Sequence, residues 1–418
     1  MPFVLYVLAL AVFAQGMSEF MLSGLVPDLA ADMGVSLAAA GSLTSAFAVG
    51  MVVGAPLMAA LGSRWDRRRA LLCFLSTFLL AHVVGASTTS FAVLVATRVV
   101  GALANAGFLA VALAAAAAMV PPGAKGRAVS VLLGGVTLAC VAGVPAGALL
   151  GQAWGWRAAF WAVALLSAPA LAALVRSLPG ARPDAPRPAH PEAAPTTGVR
   201  RELRALRGPR LLVTLLLGAL VNGATFCSFT YLAPLLTEET GFADGRVPVL
   251  LALFGLGSFL GTAAAGRLAD RHPLRLLVAG GAVLPVGWAL FGLTAGHPYA
   301  VVVLVLVQGA LSFAVGSTLI SQALYAAAEA PSLAGGFATA ALNVGAALGP
   351  WAGGLALSSG PGYRAPLWVS ALLVALAWVV GGAAQAVAAR RAMRRRRAAV
   401  RVRAGTPPAS GAPRTPHR

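Results

Sequence analysis

The chain has 418 residues, of which 59% are hydrophobic and only 10% charged, and its mean hydropathy is +0.84. A soluble domain carries about 25% charged residues, so this composition excludes an ordinary water-soluble fold. The net charge of +19 calls for anionic surroundings, and where the basic residues fall decides which kind.

A helix that crosses a bilayer needs about 20 apolar residues. In chain order such runs fall at 4–26, 38–61, 70–89, 91–118, 129–151 and 157–175, and after a polar break at 211–236, 247–266, 276–295, 298–324, 334–357 and 364–388. The expected fold is therefore an all-α integral membrane protein with twelve crossing helices. Residues 1–175 form one six-helix bundle, 176–210 a linker, 211–388 a second bundle, and 389–418 a disordered basic tail. The first run has no basic residue ahead of it and contains Glu19, so it is expected to be a retained helix rather than a cleaved leader. The linker is rich in Pro and Ala from Pro179 to Thr197, a flexible composition. Its end, Val199 to Arg207, reads as a short amphipathic helix on the membrane surface.

Of the 31 Lys and Arg residues, 27 lie in alternate loops and the tail; the opposite side holds only Arg157, Arg246 and Arg364. Basic residues collect on the cytoplasmic side, which puts both termini in the cytoplasm of a multi-pass protein of the inner membrane. The tail, with Arg394 to Arg397, then serves topology and anionic lipid headgroups rather than nucleic acid. Cys73, Cys140 and Cys227 stand alone, and His82, His272 and His297 are isolated. No metal cluster, cofactor motif or catalytic constellation is present in the sequence, so no enzyme activity and no cofactor are expected.

The two halves repeat. Gly62-Ser63-Arg64-Trp65-Asp66-Arg67 after the second run is matched 207 residues later, from Ala269 and Asp270 onward. Gly101-Ala102-Leu103 recurs as Gly309-Ala310-Leu311, and Pro145 is matched by Pro350. Parallel repeats imply two bundles that rock about a site near the bilayer midplane.

Only Glu19 and Arg98 are charges well inside an apolar run. Each costs roughly 2.5–3.5 kcal/mol there on insertion scales, so such residues mark ion or substrate pathways. Both lie about seven residues below the sparsely charged surface, roughly 10 Å at 1.5 Å per residue, and equal depth allows them to pair. The position matching Arg98 in the second half is Leu306, so the bundle itself does not demand the charge.

Gly266-x-Leu268-Ala269-Asp270-Arg271-x-x-x-Arg275 resembles the loop signature of the major facilitator superfamily, and Arg98 its buried arginine. Gly345-x-x-x-Gly349-Pro350-x-x-Gly353, with Gly143-Val144-Pro145-Ala146-Gly147, resembles its antiporter glycine-proline motif. The segments Phe13 to Pro27 and Leu138 to Pro145 are similar to the drug:proton antiporter branch, and within it to actinobacterial chloramphenicol exporters. The likeness spans about 1–390. It departs at Ser63, where the first-half loop lacks the family's aspartate; Asp66 is the candidate substitute.

The resemblance implies a monomeric exporter of a small drug in exchange for protons, with Glu19 and Arg98 as the coupling pair. Export of sugars or nucleosides is the alternative, and a non-transporting protein of the same fold a further one. It implies cytoplasmic gate residues Arg64, Asp66, Arg67, Gly266, Asp270, Arg271 and Arg275. Polar cavity candidates are Gln15, Asn105, Asn222, Thr225, Tyr231, Gln308, Ser312 and Gln322, with apolar walls from Met17, Phe20, Phe108, Phe226 and Phe229.

Overall fold

A computed structural model describes residues 2–62, 65–121, 125–177, 208–268, 273–327, 334–360 and 362–404. Among them the first half comprises α1 (Phe3–Phe20), the short α2 (Val26–Met33), α3 (Leu37–Gly62), α4 (Arg67–Ser87), α5 (Phe91–Ala118), α6 (Lys125–Trp154) and α7 (Trp156–Ser177). The second comprises α8 (Pro209–Thr230), α9 (Val247–Leu268), α10 (Pro273–Thr294), α11 (Pro298–Ala326), α12 (Ala334–Ser358) and α13 (Ala365–Ala404). Eleven helical segments among the described residues are long and apolar enough to cross a membrane. α6, the remaining long helix, has 30 residues. Large apolar side chains such as Leu165 (69%) and Leu372 (70%) are exposed on the outside, an exterior suited to lipid tails rather than water.

One expectation fails at the C-terminus. Residues 389–404, expected to be disordered, continue α13 to Ala404. The stretch is built largely of Ala and Arg, both strong helix formers, and has no Gly or Pro before Gly405. The linker segment 199–207, the gate residues Arg64, Asp270 and Arg271 and the tail beyond Ala404 lie outside the described residues.

The repeat is built into the packing. In the first half α1 packs on α6, α3 on α5 and α4 on α7; in the second α8 packs on α12, α9 on α11 and α10 on α13. The turns repeat at the same spacing. Gly34 (φ 63°) and Gly241 (φ 74°) are 207 residues apart and left-handed, as are Gly155 (φ 79°) and Gly362 (φ 80°). Left-handed backbone strains any residue with a β-carbon, and Gly removes that strain. The ion pairs Arg157–Asp32 and Arg364–Glu239 obey the offset too. Each ties the start of its half's last helix to the loop after its first.

Across the halves, α3 packs on α12 and α6 on α9. Named contacts between the halves gather at the end that carries Asp28, Asp32, Glu239 and Asp244. There Gln152 Nε2 donates to the Asp244 carbonyl. Beside it, a β-carbon on Gly24 would lie 3.2 Å from Leu251 Cδ1, and one on Gly354 would lie 3.1 Å from Ala38 Cβ.

Candidate functional site

α1 approaches α6 closely because small residues stand at the contacts. A β-carbon on Gly16 would lie 2.6 Å from Ala139 Cβ, one on Gly143 3.3 Å from Met17 Sδ, and one on Gly147 2.7 Å from Met21 Cβ. Where lipid surrounds the helices, such close packing supplies the association energy. Regular α-helix then ends at Phe20, and the chain tightens into a 3₁₀ turn over Met21–Gly24 before α2. Glu19 thus sits at the last α-helical turn, half-buried, beside this change of helix type. Among the described residues its carboxylate makes no ion pair.

Arg98 on α5 is 2% exposed. The expected Glu19–Arg98 pair is absent from this conformation. Arg98 Nη1 instead donates to Ser18 Oγ at 2.8 Å and to the Ser18 carbonyl at 3.1 Å, and the guanidinium stacks 4.3 Å from the Phe47 ring centroid on α3. The helix turns about 100° per residue, so Ser18 and Glu19 point in different directions at nearly equal depth. Depth came from the sequence; rotation did not.

His82, read from the sequence as outside any metal-type cluster, is hydrogen-bonded at both ring nitrogens. Its Nε2 lies 2.7 Å from Ser18 Oγ and its Nδ1 2.8 Å from the Phe78 carbonyl. The imidazole packs against the Phe78 and Phe160 rings at 4.2 and 5.8 Å. Ser18 and His82 were missed, although a polar group inside an apolar run is a functional signal by default.

The cavity candidates divide by place. Phe20 meets Thr225, Phe226, Phe229, Phe254 and Phe313 around a crevice of about 10 Å³ between the halves. That is space for about one water. Phe229 stacks on Phe254 at 4.6 Å, and Phe226 and Phe313 lie edge-on to this pair. Phe254 and Phe313 were not singled out in the sequence. Among the described residues, Gln15 is buried with neither amide atom hydrogen-bonded, and Ser312 is buried likewise. Asn105 is buried and Gln322 half-buried.

Others are engaged in packing or local hydrogen bonds here, Thr225 among them although it also borders the crevice. Phe108 belongs to the first-half core with Phe74 and Leu8, and Met17 lies on the α1–α6 contact. Asn222 Nδ2 donates to the Leu342 carbonyl at 2.7 Å, Thr225 Oγ1 to Val221 within its own helix, and Gln308 Nε2 to the Leu284 carbonyl at 3.3 Å. Tyr231 is 2% exposed and donates to the Pro350 carbonyl at 2.9 Å. A β-carbon on Gly41 would come 2.6 Å from its Cζ, so Tyr231 fills the seam between the halves rather than a cavity.

The motif glycines face their first-helix partners in both halves. A β-carbon on Gly349 would lie 2.9 Å from the Gly223 carbonyl carbon, one on Gly345 2.8 Å from Gly223 N, and one on Gly353 2.9 Å from Cys227 Sγ. Pro145 and Pro350 both sit inside their helices. Of the gate residues, Asp66 precedes α4, Arg67 opens it, and Arg275 is in the first turn of α10; all three are exposed, and Gly266 is in the last turn of α9. A groove of about 640 Å³, lined by Phe242, Arg246, Val249 and Val302, lies at the acidic end on the outside of the second half.

At that end, outside the crossing segments, two carboxyls differ. The Trp156 indole N–H and Arg157 hold Asp32 below its usual range. Burial, and then the charge of Asp244 from the other half, push Asp28 above it.

Two repeated helical bundles, apolar outside, with a half-buried acid and a buried arginine in the first and an aromatic crevice between the halves, define a multi-pass membrane transporter. The family model of the Major Facilitator Superfamily matches residues 8–323 and 215–410, and the chain belongs to that superfamily. It is 57% identical to a chloramphenicol resistance protein of Streptomyces lividans, over 91% of this chain and 95% of that one. It is 35% identical to the inner membrane transport protein YdhP of Escherichia coli K12, over 89% and 93%. A crystal structure of a bacterial homologue of the human lysosomal transporter Spinster, inward-facing and unoccupied, superposes with a TM-score of 0.74 at 18% identity, covering 90% of this chain and 95% of that one.

Proposed function

We propose that the protein exports chloramphenicol or a related small drug across the cytoplasmic membrane in exchange for protons. One observation carries this reading. Glu19, alone among the 12 Asp and Glu in lying well inside an apolar run, adjoins Phe20 of an aromatic crevice formed between the two halves. Drug sites are mostly apolar with a few oriented polar groups. The Streptomyces relative supports the choice of drug.

The mechanism follows from the geometry. A crevice of about 10 Å³ is far too small for a drug, so binding requires the halves to separate along it. The end bearing Asp28 and Asp244 is bridged here by the contacts of Gln152, Leu251 and Ala38. Read with that end outside, the protein faces inward. A drug entering from the cytoplasm meets Phe20 and the second-half phenylalanines beside the Glu19 carboxyl. Drug and proton then compete for one carboxylate, and loading one side of the membrane with protons drives the drug the other way. At a proton-motive force of about 150 mV one proton supplies about 3.4 kcal/mol, enough for a drug gradient of about 300-fold.

The same reading takes α6 as a crossing helix, giving twelve, with both termini cytoplasmic, a monomer, and the basic tail on anionic headgroups. Reporter fusions after Asp66, near Ala193 and after Asp270 then report cytoplasm, and fusions at Gly34 and Gly241 the outside. Expression in a drug-sensitive bacterium raises chloramphenicol tolerance and leaves the drug chemically intact. Unchanged sensitivity with confirmed insertion would favour sugar or nucleoside export. Recovery of acetylated or hydrolysed drug would place the resistance elsewhere.

A further inference from the structure

We infer that Ser18 and His82 are positioning residues for the coupling pair: together they hold the Arg98 guanidinium away from Glu19 in this conformation. The inference rests on reading Glu19 as the exchange site.

The hydrogens of the network can be assigned from its partners. The Phe78 carbonyl can only accept, so His82 Nδ1 carries the proton in that 2.8 Å bond. Nε2 of the neutral ring is then an acceptor, and the Ser18 hydroxyl donates to it at 2.7 Å. With its hydrogen committed, Ser18 Oγ presents lone pairs to Arg98 Nη1 at 2.8 Å, and the Ser18 carbonyl takes the same nitrogen at 3.1 Å. The Phe78 and Phe160 rings, 4.2 and 5.8 Å away, pack against the imidazole. Arginine, serine and histidine thus form one directed chain across three helices, α5, α1 and α4.

Only one edge of the guanidinium is used. Nε and Nη2 are buried and have no partner among the described residues. These two nitrogens form the side-on edge that receives a carboxylate bidentately, and buried charged donors left unpaired are costly. Glu19, next in the chain to Ser18 and at nearly equal depth, is the carboxylate that a rotation of α1 would bring toward this edge. The guanidinium therefore has two resting places. Ionised Glu19 draws the free edge, whereas protonated or drug-occupied Glu19 leaves Arg98 on Ser18. Without His82 the Ser18 hydroxyl turns back to its own helix, the second resting place weakens, and Arg98 stays on the carboxylate that must reload.

Purified protein in liposomes tests this through chloramphenicol transport driven by a pH gradient, with drug binding and thermal unfolding measured alongside. Ser18→Ala and His82→Phe are expected to lower the maximal rate about tenfold and to leave KM and drug affinity within about twofold. Ser18→Thr keeps the hydroxyl and His82→Gln keeps an acceptor, so both retain most of the rate. Wild-type rates in Ser18→Ala and His82→Phe would overturn the inference. So would parallel loss of binding, melting temperature and rate without rescue by Ser18→Thr, which marks a purely structural role. Glu19→Gln is measured beside them. If it still transports drug with the pH gradient, the exchange-site reading falls and this inference with it; if it is inactive while Ser18→Ala is normal, the inference alone falls.

Discussion

The two halves share a scaffold and differ in their cores. Both tie the loop after the first helix to the start of the last through an arginine–carboxylate pair, and both turn on left-handed glycines 207 residues apart. Both seat motif glycines of the fifth helix on the first: Gly143 and Gly147 on Met17 and Met21, Gly349 and Gly353 on Gly223 and Cys227. At the centre they part. The first half buries Ser18, His82 and Arg98 in one hydrogen-bonded chain. The second has Leu306 where Arg98 stands and Trp288 near the place of His82, stacked on Phe291 at 6.3 Å with its N–H unpartnered among the described residues. The shared features are those that any two rocking bundles need. Under the proposed function, this difference gives proton handling to the first half and most of the aromatic wall to the second.

That assignment breaks most sharply at the charges. Glu19→Gln and Arg98→Ala are expected to reduce drug uptake driven by a pH gradient by about 100-fold or more, the scale of a lost proton-transfer group. Leu306→Ala, the counterpart of Arg98→Ala, should leave the rate within about threefold, since it removes neither charge nor proton site. Equal losses in the two halves would refute the division of labour. Drug-induced proton release from purified Glu19→Gln protein tests the assignment independently, and undiminished release would mean that the proton is carried elsewhere.

The glycine contacts sharpen the scaffold side. Gly349 faces the backbone of Gly223, which cannot move aside, whereas Gly143 faces the flexible Met17 thioether at 3.3 Å. Gly349→Ala should therefore cost about 1–3 kcal/mol, and Gly143→Ala less than about 1 kcal/mol. Thermal unfolding in detergent reads the difference, and equal costs would show that backbone and side-chain contacts yield alike here.

Smaller effects belong to the acidic end. Asp28 is held above its usual range by burial and by Asp244 across the seam. An acid with a raised folded value weighs against this conformation once the pH rises through the carboxylate range. Asp28→Asn should thus stabilise the protein at about pH 8, and the gain should fade toward about pH 4. Asp32 works in the opposite sense, because the Trp156 N–H and Arg157 lower it. Its contribution is present above the ordinary carboxylate value and is lost as the pH falls through the lowered one. Both Asp32→Asn and Glu239→Gln break partly exposed pairs worth about 0–1 kcal/mol. The Asp32→Asn difference from wild type should vanish in strong acid.

Much of this was legible beforehand. Apart from the C-terminal end of α13, the helix ends lie within several residues of the apolar runs, because the length of a run is set by the bilayer and is written in composition. Glu19 and Arg98 stood out because charge in such a run is costly. The aromatic crevice was half legible: Phe20, Phe226 and Phe229 were named, but Phe254 and Phe313 looked like any other phenylalanine of an apolar helix. Tyr231 was placed in a cavity and fills a seam, since a polar tip on an apolar body suits either.

The sequence by itself determined the spans, the internal repeat, the sidedness of charge and the two charges inside the apolar runs. Each follows from a one-dimensional quantity: run length, offset, or depth along a helix. Only the tertiary structure decided that Arg98 rests on Ser18 and not on Glu19, that His82 completes the chain, and that α13 runs on to Ala404. Helices that are apolar all round carry no hydrophobic face to fix their rotation. That rotation is set by which small residues meet across a contact, as Gly16 meets Ala139, and it chooses the side chain that faces its neighbour.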